Sequence, residues 1–324
     1  MKMRFFIDDC TDPAFNLALE ETLCAEFPEP VLMLWRNRPS VIVGKNQNTL
    51  AEVNTAFVRE HGIDVVRRMT GGGAVYHDLG NVNYSFIIHE RHPEPDSFAL
   101  FARPVVACLR SLGVPAVFSG RNDILADGRK ISGSAQCCMR DRTLFHGTLL
   151  FDLEMEMLEK VLTPGKAKIE SKGIRSVRAR VANLKEFLPG MSTEDFLALL
   201  TEKLVPVSSA PGPVPEEWRQ KAEKLACSRY RKWEWNYTSP FEFDWENAAR
   251  FPAGTVELKI KVAGGRIGSL RITGDFFGDA REIEERLQGV PFDRESVAGA
   301  LAGLDASKCI SGLSTPEFLS LITI

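Results

Sequence analysis

The most unusual segment of the sequence is a glycine-rich stretch, RRMTGGGAVYHDLGN, at residues 67–81. Its three consecutive glycines allow the backbone to come close to a ligand. Arg67 and Arg68 add fixed positive charge, and guanidinium groups bind carboxylate and phosphate oxygens in a bidentate geometry. The stretch contains neither the G-x-x-x-x-G-K-[ST] motif nor the dinucleotide fingerprint. Taken alone, it is consistent with an anion-binding loop and equally with a glycine-rich hairpin that exposes its arginines.

Two further segments carry residues that could act on a bound anion. Lys130 precedes the small-residue run ISGSA at residues 131–135. A lysine is more often a solvated surface charge, but glycine and serine on its flank allow close backbone approach, which is also consistent with an ammonium directed into a cleft. His146, in the segment FHGT, is either a group of the site or a residue at the end of a strand.

The elements that must position these residues follow from the periodicity of apolar residues. Asp12 and Pro13 predict an N-cap and a first-turn proline at the start of an amphipathic helix. Residues 96–113 show a second helical pattern, and Asp127-Gly128 predicts a tight turn between two strands. Apolar, β-branched runs predict strands at residues 31–37, 40–44, 63–69, 81–88 and 145–152. This order lacks regular βαβ alternation, so we expect an α+β fold with a large mixed, mostly antiparallel sheet and flanking helices.

The C-terminal part of the chain predicts a second, smaller domain. Residues 208–217, SSAPGPVPEE, are typical of a linker or an exposed loop. Further on, period-two alternation on both sides of Gly264-Gly265 predicts a hairpin, and two short helical patterns follow it. We therefore expect a ββαα accessory domain at residues 251–324, after a catalytic domain at residues 1–250. Its roughly 70 residues are near the lower size limit for independent folding.

Composition excludes several classes of protein. The 324 residues are 44% hydrophobic and 26% charged, and no apolar run is long enough for a membrane span. The net charge of -3 predicts no general attraction to nucleic acid. Seven scattered cysteines without a Cys-x-x-Cys pair fit neither a disulfide framework nor a zinc site. Because the N-terminus does not resemble a signal peptide, we expect a cytoplasmic protein that binds neither membranes nor nucleic acid.

The three motif-bearing segments, in this order, closely resemble the lipoate-protein ligase family. The family pattern is RR-x-x-GGGAV-[FY]-HD-x-GN, then GRND, [RK]-K-[IV]-SG-[SN]-A and HGTLL. The similarity extends over nearly the whole chain, with one departure at Thr238, where a glycine-containing turn is expected. It implies the fold of the biotin and lipoate ligases, with the accessory domain of the bacterial long form.

The resemblance also implies a reaction and its participants. ATP, handled with Mg²⁺, would activate lipoic acid as lipoyl-adenylate, and the lysine of an acceptor protein would then displace AMP. The acceptors of the family are lipoyl domains of 2-oxo acid dehydrogenases and the glycine-cleavage H protein. Octanoate is the alternative acyl substrate, and we expect the enzyme to act as a monomer.

The motifs assign roles to residues of this chain. Lys130 is the expected catalytic residue, because the family lysine at this position contacts the α-phosphate and the lipoyl carbonyl oxygen. Asp123 is the candidate for holding Mg²⁺ or for orienting the incoming amine, although an aspartate that caps a turn is equally consistent with the sequence. The residues expected to bind ATP or lipoyl-adenylate are Arg68, Gly71, Gly72, Gly73, Ala74, Val75, Tyr76 and Lys130, with Asn81, Asp123 and His146 as further candidates.

Two other charged groups carry weaker indications. Glu20 and Glu21 are adjacent on a predicted helix and therefore face different directions, so we interpret them as surface groups or as groups that support the site. A basic run could face pyrophosphate or an acidic acceptor domain, and an ordinary solvated surface explains it equally well; it consists of Lys172, Arg175, Arg178 and Arg180.

Alternative functions remain at this stage. An octanoyltransferase of the same fold would need an acyl-cysteine, and Cys137 and Cys138 lie near Lys130 in sequence. However, the family's nucleophilic cysteine falls near residues 171–184, which contain none, so packed thiols are the favoured interpretation. A biotin ligase is disfavoured because its GRGRxG-type loop is absent from the sequence. A non-catalytic protein that binds lipoyl domains is the last alternative, and the retained Arg68, glycine run and Lys130 argue against it.

Overall fold

The computed structural model describes residues 3–92, 97–162, 180–205, 211–237 and 242–322. We call the described residues up to 237 the large unit and those from 242 the small unit. The strands are β1 (Arg4–Ile7), β2 (Val31–Trp35), β3 (Ser40–Val43), β4 (Asp64–Arg67), β5 (Val75–His77), β6 (Asn81–Ile88), β7 (Ala116–Ser119), β8 (Asp123–Ala126), β9 (Arg129–Met139), β10 (Arg142–Leu150), β11 (Trp245–Phe251), β12 (Gly254–Ala263) and β13 (Arg266–Gly274). The α-helices are α1 (Pro13–Glu26), α2 (Thr49–Glu52), α3 (Thr55–Glu60), α4 (Ser97–Ser111), α5 (Met155–Val161), α6 (Thr193–Leu204), α7 (Glu216–Leu225), α8 (Trp233–Asn236), α9 (Arg281–Leu287), α10 (Arg294–Ala300) and α11 (Thr315–Leu321).

The large unit contains a seven-stranded sheet in the order β1-β2-β6-β10-β9-β8-β7. Strands β1 and β2 are parallel, and the other neighbours are antiparallel. This arrangement confirms the predicted α+β fold with a mixed, mostly antiparallel sheet. The predicted tight turn between β8 and β9 is also present, because Asp127 and Gly128 both have positive φ angles, 48° and 74°.

A second sheet of the large unit has the order β4-β3-β5. Strands β2 and β3, both predicted from the sequence, are separated by only four residues. In the structure they belong to different sheets, because β2 pairs with β1 and β6 whereas β3 pairs with β4 and β5. Asn37, in the connection, is fully buried and contacts Asn16 of α1 and His77 of β5. Its side chain therefore connects the segment between β2 and β3 to helix α1 and to strand β5.

Helix α1 covers one face of the seven-stranded sheet. Its start is the predicted one, since the Asp12 carboxylate accepts a hydrogen bond from the backbone N–H of Ala14 at 2.9 Å and Pro13 occupies the first turn. Along the central strand β6, apolar side chains such as Tyr84 and Phe86 face a core that includes α4. The opposite face carries Ser85, which contacts α1 through Glu20. The α1 side of the sheet is therefore polar at its centre.

The predicted linker at residues 208–217 is only partly described, since residues 206–210 lie outside the described residues. The described part does not separate two domains. The Gly212 N–H donates to the Phe5 carbonyl beside β1, and α7 begins at Glu216. Trp218 and Ala222 of α7 then pack into the same core as α1. This proline-rich segment is thus part of the large unit.

The small unit contains the sheet β11-β12-β13. The predicted hairpin is confirmed, with positive φ angles of 57° at Gly264 and 74° at Gly265 in its turn. Strand β11 was not predicted, because WENAARF lacks the β-branched residues that mark a strand. It starts before residue 251, so the sheet of the small unit includes residues that the sequence assigned to the catalytic domain. Helices α9, α10 and α11 pack on this sheet around a separate apolar core.

The two units meet at the segment Asp275–Gly278. Phe277 is fully buried and belongs to the apolar core of the large unit, where its ring lies 5.2 Å from that of Phe98. Nearby, the Lys45 ammonium pairs with the Asp279 carboxylate at 2.8 Å. The small unit therefore packs beside the loop that follows β3. Among the described residues, no helix has the length and apolar character that crossing a membrane requires.

Candidate active site

A cavity lies between the seven-stranded sheet and the β4-β3-β5 sheet. Its volume is about 650 Å³, including the part that is open to solvent. Both sheets, helix α1 and the glycine-rich loop contribute side chains to its wall. The lining residues are Leu17, Trp35, Ile42, Arg68, Gly72, Gly73, Ala74, Val75, His77, Asn83, Asn122, Lys130, Gly133, Ser134, Ala135, His146, Gly147 and Thr148. The described lining thus includes arginine and lysine but no carboxylate.

The glycine-rich loop is shaped by Arg68. The Arg68 guanidinium donates to the carbonyls of Gly71 and Gly73 at 2.6 and 2.8 Å, to that of Ile42 at 3.1 Å, and to the Thr70 hydroxyl at 2.9 Å. A guanidinium has five N–H donors, so most of them hold the loop. Burial lowers the pKa of Arg68 to about 10, and the group stays charged at neutral pH. Arg68 therefore places a positive charge directly behind the loop.

The small unit packs against the outer side of the glycine-rich loop. The Gly72 N–H donates to the Phe276 carbonyl at 3.1 Å. A Cβ atom on Gly71 would lie 2.5 Å from that carbonyl oxygen and 2.8 Å from the Cα of Phe277, which explains the glycine. Gly73 is different, because the nearest atom to a Cβ there would be 4.0 Å away. Gly71 is thus fitted closely to the small unit, whereas Gly73 has open space beside it.

Arg67, the other arginine of the motif, does not line the cavity. Its guanidinium donates to the carbonyls of Gly44 and Gln47 at 2.9 and 2.7 Å and to that of Trp235 at 3.0 Å. The Asn236 side chain accepts from its backbone N–H at 2.8 Å. Arg67 therefore fixes the loop after β3 and helix α8 against β4, and the two neighbouring arginines have different tasks.

Lys130 lies in the wall of the cavity and forms an ion pair. Its ammonium is 2.7 Å from Asp123 Oδ1, and both side chains are about a third exposed, at 33% and 35%. A Cβ atom on Gly133 would lie 2.7 Å from the same ammonium, so the glycine makes room for it. The register of β8 against β9 shifts at Ile124 and Leu125, and such irregularities re-aim side chains next to active sites. The structure thus brings together Lys130 and Asp123.

His146 also lines the cavity and is held by a buried chain of hydrogen bonds. Its Nδ1 lies 3.0 Å from both carboxylate oxygens of Glu20, and its Nε2 lies 2.9 Å from the Thr70 hydroxyl. The Ser85 hydroxyl donates to the same carboxylate at 2.5 Å and accepts from Trp35 Nε1 at 2.8 Å. Glu20 is 1% exposed. The surface interpretation of Glu20 is therefore wrong, because α1 lies flat on the sheet and buries this side of the helix.

Three other predicted residues lie behind the lining. Gly71 is covered by Phe276 and Phe277, as described above. The Tyr76 side chain packs in a small apolar core with Val41 and Val43, so its ring is turned away from the cavity. Asn81 is fully buried, and its Nδ2 donates to the Asn83 side chain at 2.9 Å. Glu21 is outside the site, where its carboxylate pairs with Arg229 at 2.5 Å.

The adjacent cysteines do not line this cavity. Cys137 lies on β9 seven residues beyond Lys130, about 23 Å along an extended strand. Burial raises the pKa of the Cys137 thiol well above its usual value, which disfavours the thiolate that nucleophilic chemistry needs. The Cys138 thiol lies 3.6 Å from the His92 carbonyl. Both are free cysteines in this structure.

Some sequence predictions fall outside the described residues. These are Thr238 and most of the basic run, namely Lys172, Arg175 and Arg178. Arg180 is described and exposed, and its carbonyl accepts from the Lys130 N–H at 2.8 Å. Within the described ranges, no group of three or more His, Cys, Asp or Glu side chains is arranged to hold a metal ion.

Sequence reasoning missed the residues at the far end of the cavity. Leu17, Trp35 and Ile42 form its apolar wall, and His77 and Asn83 contribute buried polar groups. Period-two alternation in β6 places Asn81, Asn83 and Ser85 on one face, and this was the available signal. In an antiparallel sheet such a face is commonly turned to solvent, whereas here a helix and a second sheet cover it.

The arrangement can bind an anion at one end and an apolar group at the other. The Lys130 ammonium and the Arg68 guanidinium, both in the lining, attract a carboxylate or a phosphate. Leu17, Trp35 and Ile42 offer apolar surface to a chain attached to it. Most of the lining is contributed by strands, which hold these groups rigidly.

Known protein families match two ranges that together cover most of the chain. Residues 12–205 match the family described as the lipoyl protein ligase A/B catalytic domain, and residues 240–322 match the bacterial lipoate protein ligase C-terminus. The lipoate-protein ligase LplJ of Bacillus subtilis (strain 168) is 43% identical over 98% of this chain and 99% of its own length.

Two solved structures share the fold. The P. falciparum protein LipL1, solved in complex with lipoate, is 27% identical with a TM-score of 0.81, covering 98% of this chain and 97% of that chain. A lipoate-protein ligase A bound with ATP is 29% identical with a TM-score of 0.63, covering 73% and 99%.

Proposed function

Because the chain belongs to the lipoate-protein ligase family, we propose that it activates lipoate with ATP and transfers the lipoyl group to a lysine of an acceptor protein. In the first step a carboxylate oxygen of lipoate attacks the α-phosphorus, and the bond to pyrophosphate breaks. In the second step the acceptor amine attacks the lipoyl carbonyl carbon, and the bond to AMP breaks. The amine loses a proton as the amide forms.

The observation that carries this proposal is the position of the Lys130 ammonium, in the cavity wall and 2.7 Å from Asp123. Both steps place negative charge on oxygens next to the reacting atoms. A fixed cation stabilises this charge, and it also offsets the repulsion between the carboxylate and the triphosphate in a site of low dielectric constant. Lys130 is the catalytic residue that we propose for both steps.

The remaining lining supports the placement of the two halves of the adenylate. The Gly73 to Val75 backbone and its small side chains line the cavity near the charged end, where we propose that the nucleotide binds. Leu17, Trp35 and Ile42 suit the lipoyl chain at the apolar end. Tyr76 and Gly71 would act only through the backbone of the loop, and Asn81 and His146 would support the walls.

Magnesium enters this proposal with the phosphates. Mg²⁺ is commonly held by one or two carboxylates together with substrate phosphates, and Asp123 is a carboxylate beside the cavity, which fits this role. When bound, the ion would neutralise phosphate charge. We expect Asp123→Asn to raise the Mg²⁺ concentration that gives half-maximal activity, and an unchanged requirement would instead leave Asp123 the role of orienting the amine.

A further part of the proposal concerns the acceptor protein. A bipartite lipoate protein ligase of Thermoplasma acidophilum has been solved in a study with its E2 lipoyl domain. By analogy, we propose lipoyl domains of 2-oxo acid dehydrogenases and the glycine-cleavage H protein as acceptors here. We further propose that one chain suffices for the reaction, and that it is divided into a catalytic domain and an accessory domain that begins near β11.

The test is lipoate-dependent release of pyrophosphate from ATP by the purified chain, followed by transfer to a lipoyl domain detected by intact-protein mass. We expect both. Pyrophosphate release that does not depend on an acyl acid, or none at all, would contradict the proposal. A non-catalytic binding protein would give no release.

An acyl-cysteine transferase of the same fold predicts a different result. Replacement of both cysteines, Cys137→Ala with Cys138→Ala, should leave ATP-dependent lipoylation within about twofold of the unchanged protein, because neither thiol lines the cavity. ATP-independent acyl transfer that the double variant loses would establish the transferase instead.

A further inference from the structure

Two buried N–H groups at the apolar end of the cavity have no hydrogen-bond acceptor among the described residues. They are Nε2 of His77 and Nδ2 of Asn83, in side chains that are 3% and 2% exposed. Both residues line the cavity beside Trp35. A buried donor without an acceptor is costly, so the pair points to a ligand group that accepts hydrogen bonds.

The hydrogen-bond chain behind His77 determines which nitrogen carries the proton. Asn16 Nδ2 donates to Asn37 Oδ1 at 3.0 Å, and the carbonyls of Cys10 and Arg36 at 2.8 and 3.1 Å fix that amide of Asn16. Asn37 therefore presents its Nδ2 to His77 Nδ1, at 3.1 Å. Burial lowers the pKa of His77 to about 3. The imidazole is thus neutral with its hydrogen on Nε2, the atom without a partner.

Asn83 is paired with its neighbour on β6. Asn81 Nδ2 donates to Asn83 Oδ1 at 2.9 Å, which leaves the Asn83 amide nitrogen as the unpaired end. The two side chains therefore offer two hydrogen-bond donors to a group in the cavity beside Trp35.

The distance to Lys130 tells which part of a substrate reaches these donors. Asn83 pairs with Thr148 on β10, whose hydroxyl accepts from the Gly133 N–H of β9 at 3.2 Å. Asn83 and Gly133 are therefore separated by two strand spacings, about 10 Å. The Lys130 ammonium lies next to Gly133. With the carboxyl group at Lys130, a five-carbon chain that ends in a ring would bring the ring to His77 and Asn83.

We propose that His77 and Asn83 are specificity-determining residues that donate hydrogen bonds to the ring sulfurs of the acyl substrate, so that the cavity prefers a dithiolane-bearing acid over a hydrocarbon acid of equal length. The inference rests on the proposed function. Sulfur is a weak acceptor, yet a methylene group accepts nothing and would leave both N–H groups buried and unpaired. The energetic contrast comes mainly from that penalty.

The experiment compares acids of the same shape that differ in sulfur. Pyrophosphate release is measured for the full chain with lipoate, with octanoate and with cyclopentylpentanoate, the all-carbon isostere of lipoate. We expect kcat/KM for lipoate to exceed that for the isostere by about tenfold or more. In Asn83→Leu, the ratio should fall by about fivefold or more, mainly because the isostere no longer leaves the Asn83 amide buried and unpaired and is therefore used better. Asn54→Leu is the matched control, because it makes the same substitution at an exposed asparagine that caps α3 outside the cavity, and it should leave the ratio unchanged.

Several outcomes would overturn the inference. One is a ratio within about twofold of unity for the unchanged protein, which would decide the matter even if Asn83→Leu did not fold. A second is an unchanged ratio in Asn83→Leu, and a third is a rise in KM for ATP without a change in the ratio, which would assign the donors to the nucleotide. Absence of turnover with every acid would instead contradict the proposed function, and the inference with it.

Discussion

The ammonium of Lys130 lies 2.7 Å from the carboxylate of Asp123, so the proposed catalytic cation already has an anionic partner in the protein. The pair is about one-third exposed, and its net contribution to stability is therefore small. An incoming phosphate or carboxylate can exchange with Asp123 without leaving a buried charge unpaired. The pair keeps the ammonium oriented before substrates arrive.

Replacing Lys130 should separate catalysis from stability. We expect Lys130→Ala to lower the rate of pyrophosphate release by about 100-fold or more, because it removes the charge that stabilises both transition states. The free energy of unfolding should change by less than about 1 kcal/mol. Lys185→Ala, which removes an exposed lysine paired with Asp152, is the control and should retain full activity. Near-normal release from Lys130→Ala would remove this residue from the mechanism.

Replacing Arg68 should affect both binding and folding. Its guanidinium holds the carbonyls of Gly71 and Gly73 from behind. We expect Arg68→Ala to raise the apparent KM for ATP or lipoate by more than about tenfold and to lower the free energy of unfolding by about 2–4 kcal/mol, because it leaves buried carbonyls without donors. Arg68→Lys should not restore the loop, since an ammonium lacks the planar fork. Unchanged kinetics in Arg68→Ala would show that the loop does not need this residue.

The glycines of the loop offer a matched pair of substitutions. Gly71→Ala puts a Cβ against the Phe276 carbonyl and should lower the free energy of unfolding by about 1–3 kcal/mol. Gly73→Ala meets no atom closer than 4.0 Å, so the protein should fold normally while its KM for ATP rises. Urea unfolding and steady-state kinetics measure the two effects. Equal destabilisation by both substitutions would contradict the contact between the loop and the small unit.

His77 predicts a pH dependence of stability. Burial lowers the pKa of His77 from 6.5 to about 3, so between these values the unfolded chain binds a proton that the folded protein does not. Stability is therefore full above about pH 6.5 and falls as the pH is lowered towards 3. Between pH 6 and pH 4 we expect His77 to account for a loss of about 1.4 kcal/mol per pH unit.

The measurement is urea unfolding of the unchanged protein and of His77→Gln across this pH range. The free energy of unfolding should depend less steeply on pH in His77→Gln, because glutamine does not titrate in this range. The exposed His61 provides the control, and His61→Gln should keep the slope of the unchanged protein. Identical slopes for His77→Gln and the unchanged protein would show that His77 is not kept neutral by burial.

Local sequence patterns predicted the strands β2, β6 and β10 of the large sheet, because these are apolar runs, but they did not predict the short strands β1 and β7 of the same sheet. The sequence patterns did not predict which strands pair with one another. Strands β2 and β3 are consecutive, yet they lie in different sheets, since their partners β6 and β5 come more than thirty residues later. Strand β11 escaped notice because its residues have low strand propensity and the strand is stabilised by pairing with β12.

The site was predictable where chemistry is concentrated in a short motif. The placement of Lys130, Arg68 and Gly73 at a binding site followed from the resemblance of their motifs to a known family, whereas residue types and spacing alone also allowed a surface lysine and an exposed hairpin. Glu20 could not, because helical periodicity gives the direction of a side chain and not the depth of the helix. Likewise, the polar alternation in β6 cannot tell whether Asn83 faces water or a covering layer. Burial depends on tertiary packing, which single segments do not encode.

The insertion of Phe277 into the core of the large unit has a consequence for unfolding. Its ring lies 5.2 Å from Phe98 and beneath the Arg121 guanidinium, whose carbon is 4.5 Å from the ring centre. If the small unit unfolded first, removal of the Phe277 ring would leave an apolar cavity in the large unit and destabilise it by about 3–5 kcal/mol. Heat should therefore denature both units in a single calorimetric transition, and Phe277→Ala should split it into two.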